Sequence, residues 1–353
     1  MIKINSSKNV IFLYPEITPY FIGCINNFSN NFPKIKLHIV YDSIFKTVIV
    51  NKNANYTLKQ KNKFSLKQHL YDYCFSLNPD LILISGRMYK DYLYVAKKIK
   101  KICKTVTVQD SIYTNSIKQF IIRIFSFFLY KRYFDKFWGV GHLQRKFALD
   151  IGYDNENIYD GFYVADKIFF DSSKKHKFYG KKITFLFIGR LVDEKNILRF
   201  VEAIDIINKK DNLEHKINII GSGYLKDKLL QFKFVNYRGL LNQKEIINIA
   251  NKSDVFCLPS KFEPWGVVTH EMTALGLPVL ISKNCGSIDL VKSGKNGFVF
   301  DPLDYNSMIT AIRKFILLPK AEKMQFSLNS IKISKTINHN LWNKTLHSLI
   351  VTK

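Results

Sequence analysis

Residues 255–280 read VFCLPSKFEPWGVVTHEMTALGLPVL and contain a strand, a loop and a helix in succession. The apolar run Val255–Leu258 is followed by proline and predicts a buried strand. A helix is expected from Gly266 to Leu275, because Gly276 is a favoured residue just after a helix and Pro278 cannot continue one. A second apolar run follows, so the segment predicts a β-α-β unit of a parallel sheet.

The same alternation of apolar runs with helical patterns extends outward to both ends of the chain. The runs predicted as strands are Val10–Tyr14, Leu37–Tyr41, Leu81–Ser85, Thr105–Val108, Ile183–Ile188, Ile217–Ile220, Val235–Tyr237, Val255–Leu258, Val279–Ser282 and Gly297–Phe300. Strands that alternate with helices are typical of an α/β fold, and we expect two Rossmann-like doubly wound parallel sheets in series. Ligands of such sheets bind beyond the carboxyl ends of the strands, so the cleft between the two domains is the expected site.

A polar, lysine-rich segment at 171–182, DSSKKHKFYGKK, separates the two series of strands. It has no apolar period, which is typical of a linker. We therefore predict an N-terminal domain over 1–170, a C-terminal domain over 183–335 and a final amphipathic helix within 336–353.

The composition excludes several classes of protein. The chain has 353 residues, 47% of them hydrophobic, which indicates a globular protein rather than a disordered one. The net charge is +26, but only 8 of the 54 basic residues are Arg and the charge is spread over both halves, which disfavours nucleic-acid binding. The alternatives are a lysine-rich composition without functional meaning and attraction to an anionic membrane face or to phosphorylated substrates.

Signals for membrane spans, leaders and metal sites are missing from the sequence. No apolar run reaches the roughly 20 residues of a membrane span. The N-terminal sequence has no leader pattern, so a cytoplasmic protein is expected. Five widely spaced cysteines without a C-x-x-C pair indicate neither a disulfide framework nor a zinc site.

Two glutamates flank the start of the helix predicted from Gly266. Glu263 lies in the preceding loop and Glu271 on the second helical turn. Such a pair can bracket a ligand, since the free N–H groups and the positive dipole end of a helix N-terminus attract phosphates and hydroxyls. The alternative is two solvated glutamates on an ordinary helix, and the spacing alone leaves both open.

Two cations and a glycine pair follow earlier strands of the second half. Arg190 and Lys195 lie in GRLVDEKN, residues 189–196, where they could neutralise a diphosphate without a metal ion. Each alone is more often a surface residue. The GSG sequence at 221–223 would let the backbone approach a phosphate or a sugar ring. The chain contains no D-x-D triplet, which fits metal-independent chemistry.

In this order, the motifs G-R-L-x-x-x-K, G-S-G, E-x7-E and C-G-S-x-D-x-V…G-x-N-G resemble the donor-binding domain of the GT-B glycosyltransferases, specifically the large retaining family 4. The resemblance covers about residues 183–302 by motif, and most of residues 1–170 by topology only. It implies a GT-B fold in which the first domain binds the acceptor and the second binds a nucleotide-sugar donor. It also implies that the final helix returns to the first domain.

The resemblance implies roles for the matching residues. Glu263 would face the transferred sugar, Arg190 and Lys195 would act on the diphosphate as catalytic cations, and Glu271 would bind the donor ribose. The implied donor site comprises Gly189, Arg190, Lys195, Gly221, Gly223, Glu263, Trp265, Gly266, Val267 and Glu271. No metal ion or other cofactor is expected, and retention of configuration is implied by the family alone.

Four residues of the first half are candidates for the acceptor side, because they lie in turns and loops after predicted strands: Glu16, Tyr20, Arg87 and Asp110. Many family members carry a His at the end of a strand in this domain, where this chain has Gln109, Asp110 and Ser111. Asp110 could take a polar role there or cap the next helix.

Residues 117–136, IKQFIIRIFSFFLYKRYFDK, mix large apolar residues with Lys and Arg. This composition suits an interfacial helix drawn to anionic lipid, at the inner face of the cell membrane. Apolar residues cover much of the helix circumference, so core burial is the preferred interpretation. Membrane contact would instead indicate a lipid-linked acceptor or a growing surface glycan.

The function predicted from these observations is a metal-independent, retaining glycosyltransferase. It would move a hexose-type sugar from a nucleotide diphosphate to a glycan or lipid-linked acceptor, as in surface polysaccharide biosynthesis. The alternatives are a GT-B-like sugar-nucleotide epimerase and a non-catalytic GT-B partner subunit. Both glutamates and both cations are present, so the donor motifs keep the charged residues that a non-catalytic subunit would be free to lose.

Overall fold

The structure is a computed structural model that describes residues 7–46, 48, 50, 54–112, 117–176, 178 and 180–351. The chain divides into two compact units. Unit 1 comprises Met1–Asp166 and Ile337–Lys353, and unit 2 comprises Lys167–Thr336. Each unit is an α/β structure built on a parallel sheet, as predicted.

The strands are β1 (Lys8–Ile17), β2 (Ile35–Ile44), β3 (Tyr56–Gln60), β4 (Leu81–Ser85), β5 (Lys104–Val108), β6 (Lys136–Trp138), β7 (Ile158–Tyr159), β8 (Thr184–Ile188), β9 (Lys216–Ile220), β10 (Val235–Gly239), β11 (Val255–Leu258), β12 (Val279–Ser282) and β13 (Gly297–Phe300). The α-helices are α1 (Pro19–Asn31), α2 (Lys67–Ser76), α3 (Lys90–Ile99), α4 (Ile117–Ile124), α5 (His142–Asp150), α6 (Lys167–Asp171), α7 (Ile197–Asp211), α8 (Lys226–Leu229), α9 (Gln243–Ala250), α10 (Val267–Leu275), α11 (Tyr305–Leu317), α12 (Lys320–Ser334) and α13 (His339–Val351).

Both sheets follow the doubly wound strand order. Unit 1 has the order β3-β2-β1-β4-β5-β6-β7, and unit 2 has the order β10-β9-β8-β11-β12-β13. The central strands read as continuous apolar runs because helices cover both faces of a parallel sheet. In each unit the direction of winding reverses between two neighbouring strands, β1 and β4 in unit 1 and β8 and β11 in unit 2. The loops that leave these strands therefore diverge and open a crevice at the sheet edge.

The boundaries between the units differ from the predicted domain limits. Residues 171–182, predicted as a linker, lie within unit 2. His176 is 4% exposed there, and its main-chain N–H donates to Ser327 Oγ at 2.9 Å. The final helix α13 belongs to unit 1, where the buried Trp342 packs on Trp138 at 5.3 Å between ring centroids.

The segment 117–136 differs from its preferred interpretation. It contains α4, a π-helical turn at Phe127–Lys131 and the start of β6 rather than one long helix. The expectation of core burial is wrong for the part from α4 to Phe128, where five large apolar side chains are between 49% and 61% exposed, whereas Tyr130 and Phe134 near the end of the segment are buried. The exposed side chains are Phe120, Ile121, Ile124, Phe125 and Phe128. Among the described residues, no helix has the length and apolarity needed to span a membrane.

Candidate nucleotide-sugar site

The candidate site in unit 2 is built by the two loops that diverge at its sheet centre. The loop after β8 spans residues 189–196, and the loop after β11 spans 259–266. Nearly all the predicted donor residues lie on these loops or on the helix α10 that follows the second one. The main-chain N–H of Lys261 donates to the Glu194 carbonyl at 2.8 Å, which ties the two loops together.

Lys195 and Glu263 meet at the centre of this arrangement. The Lys195 Nζ forms an ion pair and a hydrogen bond with Glu263 Oε2. Their side chains are only 12% and 14% exposed. The structure thus brings together two residues that are 68 positions apart in sequence. A cation and a carboxylate that water barely reaches provide a fixed, polar contact point for a charged ligand.

Arg190 is on the same loop but in a different environment. Its side chain is 71% exposed, and its guanidinium lies 3.7 Å from the Glu194 carboxylate. The structure does not place it in contact with the Lys195–Glu263 pair. A long cationic side chain on an exposed loop can reach toward a bound anion without breaking a buried contact.

The loop that carries Glu263 is held by the segment after β12. The main-chain N–H of Glu263 donates to the Asn284 carbonyl at 3.2 Å, and its own carbonyl accepts from Gly286 at 2.9 Å. The Trp265 carbonyl accepts from the Ser287 N–H at 3.0 Å, and the Trp265 ring is buried. The C-G-S run at 285–287 therefore positions the loop, a role that the sequence motif alone did not indicate.

Gly266 makes the turn from this loop into α10. Its φ of +84° is in the left-handed region, and a Cβ atom there would lie 3.0 Å from Leu258 Cδ2 and 3.1 Å from Glu263 Cγ. Only glycine fits this position without strain. No side chain caps the helix that begins at Val267, and the Thr269 N–H donates to the Gly266 carbonyl at 2.9 Å, so the N–H groups of Val267 and Val268 are the ones open to an external acceptor.

Glu271 lies on the accessible side of α10. From Thr269 to Leu275 every residue of the helix is buried except Glu271, and Val267 and Val268 are partly exposed. These three positions share one side of the helix, because residues four apart in sequence are neighbours on a helix surface. The carboxylate of Glu271 and the open first turn therefore lie on the same side.

The glycines after β8 and β9 allow two loops to pack backbone to backbone. A Cβ atom on Gly221, whose φ is +138°, would lie 1.9 Å from the Gly189 carbonyl oxygen, and one on Gly223 would lie 2.3 Å from that of Leu191. The Leu191 N–H donates to the Ser222 carbonyl at 2.8 Å across this contact. These glycines thus shape the loop that carries Arg190 and Lys195.

Tyr224 is a residue of this region that the sequence analysis missed. Its hydroxyl accepts from the Asp193 N–H at 3.0 Å and lies 2.9 Å from Asp193 Oδ2, so it braces the loop that carries Lys195. An aromatic residue directly after the GSG sequence is the signal that could have identified it. A cavity of about 610 Å³ lies along α7 and is lined in part by Asp193 and Lys261 of the two site loops, but the described residues that line it include none of the predicted donor residues.

Unit 1 contains a smaller cavity of about 330 Å³ at the carboxyl ends of β1, β4 and β5. Arg87 and Asp110, two of the predicted acceptor-side residues, line it. This location favours a polar role for Asp110 over helix capping. Among the described residues, Glu16 and Tyr20 do not line the cavity, and Glu16 instead accepts a hydrogen bond from Ser43 Oγ at 3.4 Å.

Three tyrosines cluster beside this cavity. The Tyr14 hydroxyl lies 3.5 Å from that of Tyr163, and the Tyr20 ring packs against Tyr163 at 5.2 Å. Burial raises the pKa of Tyr20 to about 12 and also raises the pKa of Tyr14 and Tyr163. All three are therefore neutral hydroxyls near pH 7 that can donate or accept hydrogen bonds.

Within the described residues, no group of three or more His, Cys, Asp or Glu side chains forms a metal site.

Comparison with known families finds a similarity in the second half of the chain. Residues 169–331 match the family model described as "Glycosyl transferases group 1". A relative is the capsular polysaccharide biosynthesis glycosyltransferase CapM of Staphylococcus aureus, 26% identical over 47% of this chain and 42% of CapM. Another is the UDP-Gal:alpha-D-GlcNAc-diphosphoundecaprenol alpha-1,3-galactosyltransferase of Escherichia coli, 34% identical over 39% of this chain and 38% of that enzyme. The chain therefore spans about four tenths of the length of these relatives.

Similarity to solved structures extends over the whole chain. The Anabaena protein Alr3699/HepE, solved in complex with UDP and glucose, aligns with a TM-score of 0.74 and 15% identity over 98% of this chain and 99% of that one. A glycosyltransferase from Rickettsia africae aligns with a TM-score of 0.74 and 14% identity over 98% of both chains. At this level of identity the likeness establishes the fold.

Proposed function

We propose a function from one premise: residues 169–331 are a domain of the glycosyl transferases group 1 family, in a chain with the GT-B fold of glycosyltransferases. The protein is a glycosyltransferase that moves a hexose-type sugar from a nucleotide diphosphate to a glycan or lipid-linked acceptor. The epimerase and partner-subunit alternatives have no observation in their favour.

The observation that carries this proposal is the grouping of Lys195, Glu263 and the open start of α10, with Glu271 on the same side of that helix. A sugar nucleotide loses its diphosphate as an anion, so catalysis needs positive charge fixed where that anion forms. Lys195 and the first-turn N–H groups supply it, and Arg190 reaches it from the exposed loop. Glu263 faces the transferred sugar and Glu271 binds the ribose.

The reaction needs no protein nucleophile. The bond between the anomeric carbon and the phosphate oxygen breaks, and the acceptor oxygen bonds to the same carbon from the same face. The acceptor proton passes to the departing diphosphate. Configuration is therefore retained, and the side-chain cations replace a metal ion as the charge that stabilises the leaving group.

The comparisons support the choice of substrates. HepE was solved with UDP and glucose, and the name of the Escherichia coli relative gives a UDP-sugar donor and a diphosphoundecaprenol acceptor. CapM is named for capsular polysaccharide biosynthesis. A cytoplasmic protein that acts on a lipid-linked acceptor also needs the membrane surface, and the exposed apolar face of α4 and the following turn, next to basic residues, suits peripheral contact with anionic lipid.

The test is a thermal-shift screen of nucleotide sugars, followed by transfer assays with the donor that binds. Glu271→Ala is expected to weaken nucleotide binding, and Arg190→Ala to reduce turnover by about tenfold or more. Glu214→Gln is the matched control, because Glu214 is exposed and pairs with Lys182 away from the site. Sugar transfer should continue when EDTA removes divalent metal ions. Wild-type activity in both site variants, or a strict metal requirement, contradicts the proposal.

A further inference from the structure

The cavity of unit 1 contains two of the acceptor-side candidates, Arg87 and Asp110, and its lining indicates which kind of acceptor it binds. It lies where β1 and β4 diverge, the position at which doubly wound sheets bind ligands. Its volume is about 330 Å³, and tyrosines 14, 130 and 163 form part of its wall. Aromatic side chains in such a cavity present apolar faces to a ligand and polar tips to its substituents.

Three buried polar atoms belong to residues that line this cavity and lack a hydrogen-bond partner of acceptable geometry among the described residues. They are Ser85 Oγ, Arg87 Nε and Gln109 Nε2, and all three atoms are buried. Gln109 as a whole is 8% exposed. Its amide oxygen already accepts from Ser111 Oγ at 3.3 Å, so the group left unpaired is the donor. Buried donors without acceptors are costly unless a ligand satisfies them.

Arg87 supplies a positive charge, and it forms no ion pair with a carboxylate of the described residues, although Asp110 lines the same cavity. Its guanidinium lies over the Tyr130 ring, 5.0 Å from the centroid. Arg87 and Gln109 both approach the Tyr130 hydroxyl, and each counteracts the rise in its pKa that burial causes. Stacking on the ring fixes the guanidinium in place, so its free Nε–H is held in one direction.

A guanidinium without an ion pair, an amide donor and a hydroxyl together select a ligand rich in acceptor oxygens and negative charge. We propose that this cavity binds an acidic group, a carboxylate or a phosphate, on the sugar acceptor. The inference rests on the proposed function and specifies its acceptor as an acidic glycan unit.

The test measures the affinity of three small probes for the full chain saturated with UDP, which occupies the donor site. The probes are methyl glucuronide, glucose 6-phosphate and the neutral methyl glucoside, titrated by ligand-observed NMR. We expect one of the acidic probes to bind at least about tenfold more tightly than the neutral one. The comparison between the two acidic probes distinguishes a carboxylate from a phosphate.

Two variants assign the binding to this cavity. Arg87→Met keeps an apolar side chain against the Tyr130 ring and removes the charge. It should lower the affinity for the acidic probe by about tenfold or more. Arg199→Met is the matched control, since Arg199 lies over the Tyr305 ring at 5.1 Å in unit 2 and should leave binding unchanged. Equal affinity for acidic and neutral probes, or undiminished binding by Arg87→Met, overturns the inference. UDP binding is measured separately, so failure of the proposed function would appear as loss of UDP binding in wild-type protein.

Discussion

The contact between Lys195 and Glu263 places two opposite charges where little water reaches them. Removal of one partner leaves the other unpaired, which costs about 3 kcal/mol or more in buried pairs. We predict this loss in the free energy of unfolding for Lys195→Met and for Glu263→Gln, measured by urea denaturation. The double variant should regain most of the stability and none of the transfer activity.

Lys283→Met is the control for this pair. Lys283 pairs with Asp301 in the same unit, but their side chains are 54% and 31% exposed, so its removal should cost about 1 kcal/mol or less. Equal losses in both lysine variants would mean that burial does not distinguish the two pairs.

Gly221 is a second single residue on which the site depends. A Cβ atom 1.9 Å from the Gly189 carbonyl oxygen forces backbone to move, so Gly221→Ala should lose about 2–4 kcal/mol of unfolding free energy and weaken nucleotide binding. Gly294→Ala is the control, because Gly294 also has a positive φ, +77°, but nothing within 4 Å of its added Cβ. Gly294→Ala should lose about 1 kcal/mol of unfolding free energy and bind the nucleotide as the wild type does. Similar effects in both variants would contradict the role of the close approach.

The residues of the candidate site were predictable from the sequence to different degrees. The positions of Lys195 and Glu263 on strand-to-helix loops followed from apolar runs that end just before them. Their pairing did not, because the sequence does not show which loops diverge from neighbouring strands. Arg87 and Asp110 follow neighbouring strands, β4 and β5, but only the folded loops show that they share a cavity.

At the scale of elements, α4 and the turn after it form an exposed apolar surface beside Arg123, Lys131 and Arg132. We predict that the protein co-sediments with vesicles that contain an anionic phospholipid. The double variant Ile124→Ser/Phe128→Ser should lower the affinity for these vesicles by about tenfold or more. Leu149→Ser, at another exposed apolar position of unit 1, should leave it unchanged. Binding that is equal for neutral vesicles, or unaffected by the double variant, would rule out this surface as the membrane contact.

The segment that contains His176 gives unit 2 a dependence on pH. Burial lowers the pKa of His176 from 6.5 to about 4, and the nearby Lys174 acts in the same direction. Between these pH values the unfolded chain binds a proton that the folded chain does not, so the free energy of unfolding falls as pH falls, by up to about 1.4 kcal/mol per unit. Urea denaturation at several pH values should show that the free energy of unfolding falls less steeply with falling pH in His176→Gln than in the wild type. The exposed His69→Gln should show the same pH dependence as the wild type. An unchanged slope in His176→Gln would count against this residue.

Elements were predictable where both faces of a strand are buried. The bounds of β4, β11 and β12 match the predicted runs, because a strand covered on both faces is apolar throughout its length. The strands β3, β6 and β7 were not predicted, since they are short or lie near a sheet edge and lack a continuous apolar run. The exposed face of α4 was misjudged because composition does not show which side of a helix meets the core.

At the scale of the whole molecule, unit 2 is inserted between two segments of unit 1. Helix α13 closes unit 1 through Trp342, which is fully buried, stacks 6.4 Å from Phe12 and donates from its Nε1 to the Phe162 carbonyl at 3.0 Å. Trp342→Ala should cost about 3–5 kcal/mol, and the loss should be confined to unit 1. Hydrogen exchange measured by mass spectrometry can follow peptides of each unit separately.

The control for this prediction is Leu317→Ala. Leu317 is 75% exposed in unit 2, so its removal should change the exchange rates of neither unit. Faster exchange in peptides of unit 2 upon Trp342→Ala would show that the two units unfold together.

The path of the chain through the two units also sets an order on the ribosome. Residues 339–351 are synthesised after every residue of unit 2. The aromatic side chains around Trp138, on which Trp342 packs, therefore stay uncovered in the nascent chain while the sheet of unit 2 forms. An uncovered cluster of aromatic rings is prone to premature association during translation. Synthesis of helix α13 therefore ends this exposure.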